Sequence, residues 1–517
     1  MKARAAFIVA LVLGSAPGLA FSAAAQPKKG GTITLATQND LVIMNPMIRT
    51  ASTERLMRML MFDSLLGIDA QGNVQPNLAE SWEISPDGKA HTFRLRRGVL
   101  FHNGKEMTAE DVRFSINYTL DPKNGAYGFS RLSLVERVEA ADKYVLRVYL
   151  KKPTAVFLTS LTSIQSFPVV PSGSLETGVM KPAQFPPGTG AFRFVEWVPG
   201  QRVVFERFDQ HWGHKPYVDR VVIRPIADTT VRFTALQAGD VDIIERTPYE
   251  WVRQVVDGKV KGIGFTKATL AGYRRLIFNV ARPPLNNKKL RQAIAYAIDK
   301  KEILDATYMG FGEPADQKYP KGHAWHLTSA RSYSRDLEKA KALLKEAAYK
   351  GEVLEILSDN AAFHTTETTV LQNQLKKVGI AVKLNMVEWG AYREQQRKGN
   401  FHLMVYGGSI DPDPSLTYGP DIGCEQDLRN RSSNMPGYCD REIDALLEKA
   451  GLESDAKKRK EIFERIIAKV SDDLPELPIG YVPRFYSFRD YVKGFTTNSE
   501  GEFQFPGGGL SHAWLDK

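Results

Sequence analysis

The chain has 517 residues, of which 43% are hydrophobic and 25% charged, and its 69 lysines and arginines against 59 acidic residues give a formal net charge of +10. This length is enough for two or more domains with large cores. The positive charge is spread along the chain, and its densest run, residues 455–461 (DAKKRKE), mixes both signs, which argues against nucleic acid as a partner.

The first 25 residues have the layout of a secretory signal peptide. Lys2 and Arg4 precede an apolar run that ends at Phe21, and Ala23 to Ala25 supply the small residues before a cleavage site. Glycine, serine and proline interrupt this run, which argues against a membrane anchor, and no later stretch is apolar for long enough to span a bilayer. We expect a soluble, exported protein whose charge, after loss of Lys2 and Arg4, falls from +10 to +8.

The first half of the chain predicts mixed α+β structure with several antiparallel pairs. A strand within residues 30–38 (GGTITLATQ) is followed by a predicted helix over 54–66. Thr108, with Asp111 three residues on, marks the start of another helix by a pattern like a capping box. Hairpins are predicted around turns at 85–88, 142–143 and 199–200.

The second half, after about residue 273, predicts strands and helices in alternation. Strands are predicted over 353–357, 380–388 and 401–407, separated by helices over 365–378 and 389–399. This β-α-β-α-β order predicts a parallel sheet with right-handed crossovers. Two further helices, 441–450 and 456–471, precede a strand-like tail that is similar to the first half. We therefore predict a second lobe inserted before a returning tail, with a hinge near 273–279 and 479–488.

The loop after the third of these strands, residues 406–415 (YGGSIDPDPS), is the first candidate for ligand binding. Ligands of open α/β sheets bind beyond the carboxyl ends of the strands, at a switch in strand order. Glycines let the backbone approach a ligand, and an aspartate either receives a cationic group or holds the loop by bonds to its own backbone. A rigid surface turn is the alternative. The candidates are Tyr406, Gly407, Gly408, Ser409, Asp411 and Asp413.

The chain contains only two cysteines, Cys424 and Cys439. In an oxidising compartment they can form a disulfide. A metal pair and two free thiols are the alternatives, and a metal site would need two further ligands although no histidine lies between or beside them. The pattern favours the disulfide.

Five segments together resemble one family of receptors. They are 76–116, 188–197 (GTGAFRFVEW), 235–243 (ALQAGDVDI), 278–299 (FNVARPPLNNKKLRQAIAYAID) and 338–349 (EKAKALLKEAAY). Their sequence, order and spacing resemble the peptide/nickel type of extracellular solute-binding protein, family 5 of the ABC-importer receptors. The resemblance covers nearly all of the chain after the signal peptide, and its motifs are structural ones that say little about the ligand.

The resemblance implies an α/β, two-lobed periplasmic binding protein (type II, like cluster C) with an extra α+β subdomain in the N-terminal lobe. It implies no catalysis and no cofactor, a periplasmic location, a monomer, and delivery of the solute to membrane permease subunits of an ABC transporter. The expected division is 1–25 for the signal peptide; 26–50, 187–275 and 484–517 for the core of lobe I; 51–186 for its extra subdomain; and 276–483 for lobe II.

The resemblance also bears on the ligand. Dipeptide- and oligopeptide-binding members hold the ligand's amino group with an aspartate of this loop, which in the dipeptide type stands three residues before an Asp-Pro-Asp. Asp411, Pro412 and Asp413 match the triplet, and the position three earlier is Gly408. This departure argues against a free-amine peptide unless Asp411 substitutes in a shifted loop; a blocked peptide, an opine-like or a sugar-derived compound are the alternatives. Cys424 and Cys439 resemble a disulfide of the same type.

Residues near the first strand and the short helix are looser candidates. Thr50, Ser52 and Thr53 lie where related receptors line the cleft with small hydroxyl residues, and helix capping is the alternative for Ser52. Trp389 and Tyr392 begin the predicted helix beside the loop and either stack on a ligand or pack in the core or at the rim.

Two residues at the predicted hinge complete the candidates. Tyr273 and Arg274 lie by the first crossing, and Arg274 either meets a ligand carboxylate or forms a surface ion pair.

Other classes of protein are less compatible with the sequence. His211 and His214 (HWGH) have a tempting spacing, but they lie where related proteins carry a turn, and no metal site is expected. The chain has no G-x-S-x-G, no H-E-x-x-H and no Walker-type phosphate loop, so a secreted hydrolase has no identifiable nucleophile or base. A periplasmic chaperone for unfolded peptides is the third alternative, and within the receptor class the ligand alternatives include a metal chelate.

Overall fold

The computed structural model describes most of the chain after residue 25. The described residues are 26–41, 45–48, 52–68, 73–162, 167–175, 185–269, 272–360, 362–408, 410–411, 413–424, 434–453, 455–498, 501–505 and 507–517. The predicted signal peptide lies outside them. Among the described residues, no helix combines the length and the apolar character that a bilayer span requires.

The first half contains three groups of strands with short helices between them. Up to residue 160 the elements are β1 (Thr32–Thr37), α1 (Ser52–Met61), β2 (Leu66–Ile68), β3 (Val74–Pro76), β4 (Ala79–Ile84), β5 (Ala90–Leu95), α2 (Ala109–Leu120), α3 (Phe129–Leu132), β6 (Val135–Asp142), β7 (Val145–Leu150) and α4 (Phe157–Ser160). They are followed by β8 (Phe192–Val198), β9 (Arg202–Arg207), β10 (Arg220–Pro225), α5 (Thr229–Ala238), β11 (Ile243–Ile244), α6 (Tyr249–Val256) and β12 (Ile263–Ala268).

The second half contains the longer helices. Its elements are β13 (Tyr273–Phe278), α7 (Lys288–Ala297), α8 (Lys300–Tyr308), β14 (Glu313–Pro314), α9 (Leu337–Glu346), β15 (Leu354–Asp359), α10 (Ala362–Lys376), β16 (Val382–Val387), α11 (Trp389–Lys398), β17 (Leu403–Gly408), α12 (Pro414–Ile422), α13 (Arg441–Leu452) and α14 (Ala456–Asp473). The tail adds β18 (Glu476–Tyr481), β19 (Arg484–Arg489), β20 (Val492–Lys493), β21 (Gln504–Phe505), β22 (Gly508–Gly509) and β23 (Trp514–Leu515).

A seven-stranded sheet organises the part of the chain that we call lobe I. Its order is β12-β19-β11-β1-β10-β9-β8, and the central β1 runs parallel to both β10 and β11. Ile33 and Leu35 of β1 are fully buried in its core. The tail returns to this sheet through β19, which pairs with β11 and β12, as the sequence predicts.

An extra antiparallel sheet, which we call the subdomain, belongs to lobe I. Its order is β4-β5-β7-β6, and the hairpins turn where the sequence predicts. Asp111 accepts the backbone N–H of Thr108 at 2.8 Å and so completes the predicted start of α2. Tyr118 of α2 packs in the same hydrophobic cluster as Leu35 of β1, which joins the subdomain to the core of lobe I.

A six-stranded sheet organises lobe II. Its order is β14-β18-β13-β17-β15-β16, with β15 parallel to β16 and to β17. This confirms the predicted β-α-β-α-β unit. Because the chain passes from β16 over β15 to reach β17, the order of the strands switches between β15 and β17, and the loops after these two strands border that switch.

Two short connections join the lobes, and both are shorter than the sequence predicts. Residues 273–278 and 476–481 are strands of lobe II, so the first crossing ends before residue 273 and the second reduces to 482–483. The N–H of Val482 donates to the carbonyl of Gly272 at 2.6 Å, which ties the crossings side by side. A Cβ at Gly272 would lie 2.1 Å from the carbonyl oxygen of Val482, so the approach requires glycine.

Candidate ligand-binding cleft

The two lobes touch on both sides of a cleft. Near the crossings, the ring of Tyr249 in lobe I lies 5.3 Å from that of Tyr308 in lobe II. On the far side, the N–H of Ala155 in the subdomain donates to the carbonyl of Gly451 at 2.8 Å. Lys152 and Glu448 form an exposed ion pair of 3.0 Å beside this contact. The structure is therefore a closed arrangement of the lobes.

A third contact across the cleft uses a predicted ligand residue. Arg131 of α3 donates to the carboxylate of Asp411 at 2.5 Å. Burial alone would lower the pKa of Arg131, but the charge and hydrogen bond of Asp411, together with those of Tyr127, outweigh this effect and raise it. The carboxylate that the sequence offers to a ligand cation is therefore engaged by a cation of the other lobe.

Asp413 has a structural partner instead of an open face. Its two oxygens accept from the guanidinium of Arg459 at 2.6 and 2.7 Å, and both side chains are buried. One oxygen also accepts the N–H of Ser415 at 2.8 Å, which caps the start of α12. Asp413 was predicted either to receive a ligand cation or to hold the loop. In the structure, it holds the loop.

The two glycines of the loop differ in their surroundings. A Cβ at Gly407 would lie 2.1 Å from Nη1 of Arg274, so this glycine makes room for the arginine side chain. A Cβ at Gly408 would meet only the ring of Tyr406, at an ordinary 3.7 Å. Tyr406 itself is half-buried, with the guanidinium of Arg275 at 5.2 Å from its ring centre. Position 408 therefore has space for a side chain.

Arg274 forms an ion pair, as one of its predicted roles requires, but inside the protein. Its guanidinium donates to the fully buried carboxylate of Glu367, which also accepts the hydroxyl of Tyr308 at 3.3 Å. Burial would lower the pKa of Arg274, but the charge and hydrogen bond of Glu367, together with smaller effects of Tyr308 and Tyr392, outweigh it and raise the pKa. The prediction of a surface pair was wrong about burial, because Arg274 lies on the central strand β13.

The neighbouring Arg275 belongs to a buried cluster of four charges that the sequence analysis missed. Arg275 donates to Asp421 at 2.6 Å and to Glu476 at 2.7 Å, and Lys318 donates to each of them at 2.6 Å. Burial would raise the pKa of Asp421, but the two cations lower it to about 2. Two arginines within the otherwise apolar strand YRRLIF were the available signal.

Tyr273 lies beside this cluster and not in the cleft. It lines a small cavity of about 30 Å³ inside lobe II, together with Lys318 and Tyr418. A cavity of this size admits water but is too small for a solute. Burial raises the pKa of the Tyr273 hydroxyl well above its usual value.

The remaining aromatic candidates form one stack on lobe II. The ring of Trp389 is 54% exposed and lies 5.4 Å from that of Tyr392. Tyr392 is buried and donates its hydroxyl to the carbonyl of Val405 at 2.8 Å. Of the two, Trp389 alone presents an open ring surface, and Tyr392 has the predicted core role.

The hydroxyl candidates are only partly described. Thr53 is buried and donates its Oγ1 to the carbonyl of Asn39 at 2.5 Å, which fixes the loop after β1. Thr50 and Ser409 lie outside the described residues, and of Ser52 only its place at the start of α1 is described.

A polar pair that the sequence analysis missed lies at the end of β15. Nδ1 of His364 lies 2.7 Å from Oδ1 of Asp359, and Nε2 of His364 is buried without a hydrogen-bond partner. The adjacent ring of Phe363 is 44% exposed. The pair borders the strand switch, but a lone histidine gave no signal in the sequence.

The cysteines form the predicted disulfide. Cys424 and Cys439 are joined with their Cα atoms 4.5 Å apart. The N–H of Cys424 donates to Asp444 at 3.0 Å, so the bridge fastens the end of α12 to α13. Within the described ranges, no group of three or more His, Cys, Asp and Glu side chains is placed to hold a metal ion.

Known proteins share this sequence pattern and fold. The family model for bacterial extracellular solute-binding proteins, family 5 Middle, matches residues 73–426. Heme-binding protein A of Haemophilus influenzae is 31% identical, with 84% of each chain covered. The dipeptide-binding protein of Escherichia coli is 29% identical, covering 84% of this chain and 85% of the relative. The structure of AgaA of A. tumefaciens R10, in complex with agropinic acid, has a TM-score of 0.77 and 27% identity, covering 94% of this chain and 99% of that one. The chain belongs to the bacterial extracellular solute-binding proteins, family 5.

Proposed function

We propose that the protein is the periplasmic receptor of an ABC importer, which captures a small polar solute between its lobes and delivers it, as a monomer, to the permease subunits. The contact between Arg131 and Asp411 carries this proposal, because it joins the subdomain to the loop at the strand switch of lobe II. Two lobes that meet there and are joined by two short crossings, which lie side by side and run in opposite directions, form a clamp around that switch.

The clamp works by a shift between open and closed states. A solute that contacts both lobes binds the closed state more tightly, and this difference in affinity shifts the population toward closure. The side-by-side crossings at Gly272 and Val482 are the segments that can rotate without breaking either sheet. A permease that recognises both lobes at once would then distinguish the loaded receptor.

The solute class within this role is a peptide or a peptide-like compound, and a non-peptide solute is the second candidate. The second candidate is favoured by the loop itself, since Gly408 offers no carboxylate and both Asp411 and Asp413 are bound by arginines. An amine that displaced Arg131 would have to replace its charge-assisted bond, and truncating one side of a buried charge pair costs about 2–5 kcal/mol. The relatives named above also differ in what their names say they bind: heme, a dipeptide and agropinic acid.

Native mass spectrometry of the protein purified gently from periplasm tests the function and the solute class together. We expect a single small-molecule adduct, released on denaturation and recovered chemically unchanged after incubation. An adduct with a free α-amine supports the peptide class, and one without it supports the non-peptide class. Turnover of the molecule would support a hydrolase, and weak binding of many unrelated sequences would support a chaperone; either result contradicts the proposal.

Small-angle X-ray scattering tests whether the two lobes close when the solute binds. The released solute is expected to reduce the radius of gyration of the stripped protein, because the lobes close over it. Profiles that do not change with this solute, or across a panel of peptides, opines and sugars, would contradict the clamp.

A further inference from the structure

The backbone of Arg246 is unusual for its position. Four described residues other than glycine have a positive φ: Arg246, Met309, Ala348 and Leu474. Three of them end helices, where a left-handed residue is common. Arg246, with φ of 53°, instead follows the two-residue strand β11 and precedes α6. A long side chain held in this conformation away from a helix end is a reason to look for a function.

The position of Arg246 is the ligand edge of the lobe I sheet. β1 and β11 are parallel, so the loops that follow them leave the same edge, and β1 is the strand where the order switches. The antiparallel β19 begins at that edge with Arg484. The N–H of Thr247 donates to the carbonyl of Phe485 at 2.9 Å, which fixes the loop of Arg246 beside the start of β19.

The charges around Arg246 are arranged for an anion. Burial by the surrounding protein lowers the pKa of Arg246, and the nearby charge of Arg484 lowers it further. Glu245 and Tyr486 oppose this, and Arg55 adds a smaller lowering effect. Oε1 of Glu245 accepts the N–H of Gln38 at 2.7 Å, and Arg55 has Glu502 at 3.8 Å. Within the described part of the chain, Arg246 itself forms no hydrogen bond or ion pair, and its side chain is exposed.

The loop that carries Arg246 lies close to lobe II. Tyr249, three residues on, contacts Tyr308 of lobe II, so the loop of Arg246 lies beside the closed interface. On the other side, Arg274 of lobe II is already paired with Glu367. Among the described residues, Arg246 is therefore a guanidinium at this edge that has no partner in the protein.

We propose that Arg246, supported by Arg484 and Arg55, is an anion-binding subsite on lobe I, and that the solute carries a carboxylate which this subsite holds. The inference rests on the proposed receptor function. It adds that the solute carries a negative charge and that lobe I recognises this charge. A guanidinium presents its donors as a planar fork that matches a carboxylate in two parallel bonds. The repulsion between Arg246 and Arg484 is relieved when the anion binds.

Arg246→Gly separates binding from folding. Glycine adopts the left-handed conformation without strain, so we expect the unliganded variant to melt at or above the temperature of the wild type. The matched control is Arg441→Gln, which removes one positive charge from an 86% exposed side chain on α13. Arg246→Lys keeps the charge and loses the fork.

The probes are dipeptides and N-carboxyalkyl amino acids, each tested by calorimetry beside its carboxamide. We expect the wild type and Arg441→Gln to prefer the acid by about tenfold or more, Arg246→Lys to prefer it less, and Arg246→Gly by less than about threefold. Equal binding of acid and amide by the wild type, or an undiminished preference in Arg246→Gly, would overturn the subsite.

Scattering on the same samples separates this failure from failure of the receptor function. If a neutral member of the panel closes the lobes and binds Arg246→Gly as tightly as the wild type, the subsite is wrong and the receptor function stands. If no member of the panel binds and no profile changes, the receptor function is contradicted and the subsite with it.

Discussion

The ion pair between Arg131 and Asp411 distinguishes two ways in which the loop can act. Because Arg131 belongs to lobe I and Asp411 to lobe II, the pair exists only when the lobes are in contact. Replacing either residue by a neutral analogue, in Arg131→Gln or Asp411→Asn, therefore weakens the closed state whatever the solute. We expect both variants to bind every solute more weakly, and by the same factor.

The size of this effect follows from the geometry of the pair. The side chains are 17% and 32% exposed and lie 2.5 Å apart at their nearest atoms. Unit charges about 4 Å apart attract by about 4 kcal/mol at an effective dielectric constant of about 20. Lost hydration and side-chain freedom offset part of this, and hydrogen bonds to charged groups contribute about 1.5–3 kcal/mol net. Without the pair, the binding energy of the solute must supply this free energy of closure, so affinity should fall by about 10- to 150-fold.

Calorimetry on both single variants and the double variant measures the effect. The double variant should bind no more weakly than either single one, because the same interaction is removed each time. The control is Lys152→Gln, which removes a cross-cleft pair whose side chains are 47% and 63% exposed and which should change affinity by less than about sixfold. If Asp411 instead receives a cation of the solute, Asp411→Asn weakens only cationic solutes and Arg131→Gln strengthens their binding. That opposite sign would refute the reasoning.

Four further predictions test other parts of the structure. Gly408→Asp should raise the affinity for free-amine dipeptides by about tenfold or more over Gly408→Asn, measured by calorimetry, because the position has space and lacks only the charge. Gly407→Ala should instead lower the melting temperature, because its Cβ meets Arg274. Lys318→Met should reduce the free energy of unfolding in urea by about 3–5 kcal/mol, since two buried carboxylates lose a partner. Replacing Cys424 and Cys439 by serine should reduce it by about 3 kcal/mol, since the bridge spans 15 positions, and an unchanged urea midpoint would contradict that role.

The parts of the fold that the sequence predicted are those governed by short-range periodicity. The hairpins, the unit from β15 to β17 and the start of α2 at Thr108 each follow from residues within one or two elements. The returning tail was also predicted, because its strands are similar in composition to the first half. The crossings were predicted too long, since nothing local shows that β13 and β18 belong wholly to the lobe II sheet.

The roles of the charged candidates were not predictable in this way. Arg131 and Asp411 are 280 residues apart, and no local pattern relates them. The sequence alone predicts Asp413 as a possible ligand residue. In the structure, the packing of α14 places Arg459 beside it, and the two side chains pair. Arg246 was missed because its distinguishing feature is a backbone angle, which depends on the pairing of β11 with two other strands. Contacts between residues far apart in the sequence determine which charged side chains are paired within the protein and which remain available to a ligand.

The two sides of the cleft differ in which charged side chains are already paired within the protein. Both aspartates of the lobe II loop are neutralised by arginines, one of them across the cleft, so this side offers a solute cation little. On the lobe I side, Arg246 is exposed and unpaired among the described residues, and the strongest charge acting on it is that of Arg484. A glycine at position 408 is then consistent with the rest of the site, because a carboxylate there would serve a solute amine that the other charges do not favour. The same arrangement explains how closure and recognition can be separate: the pair of Arg131 and Asp411 holds the lobes together, and Arg246 selects what lies between them.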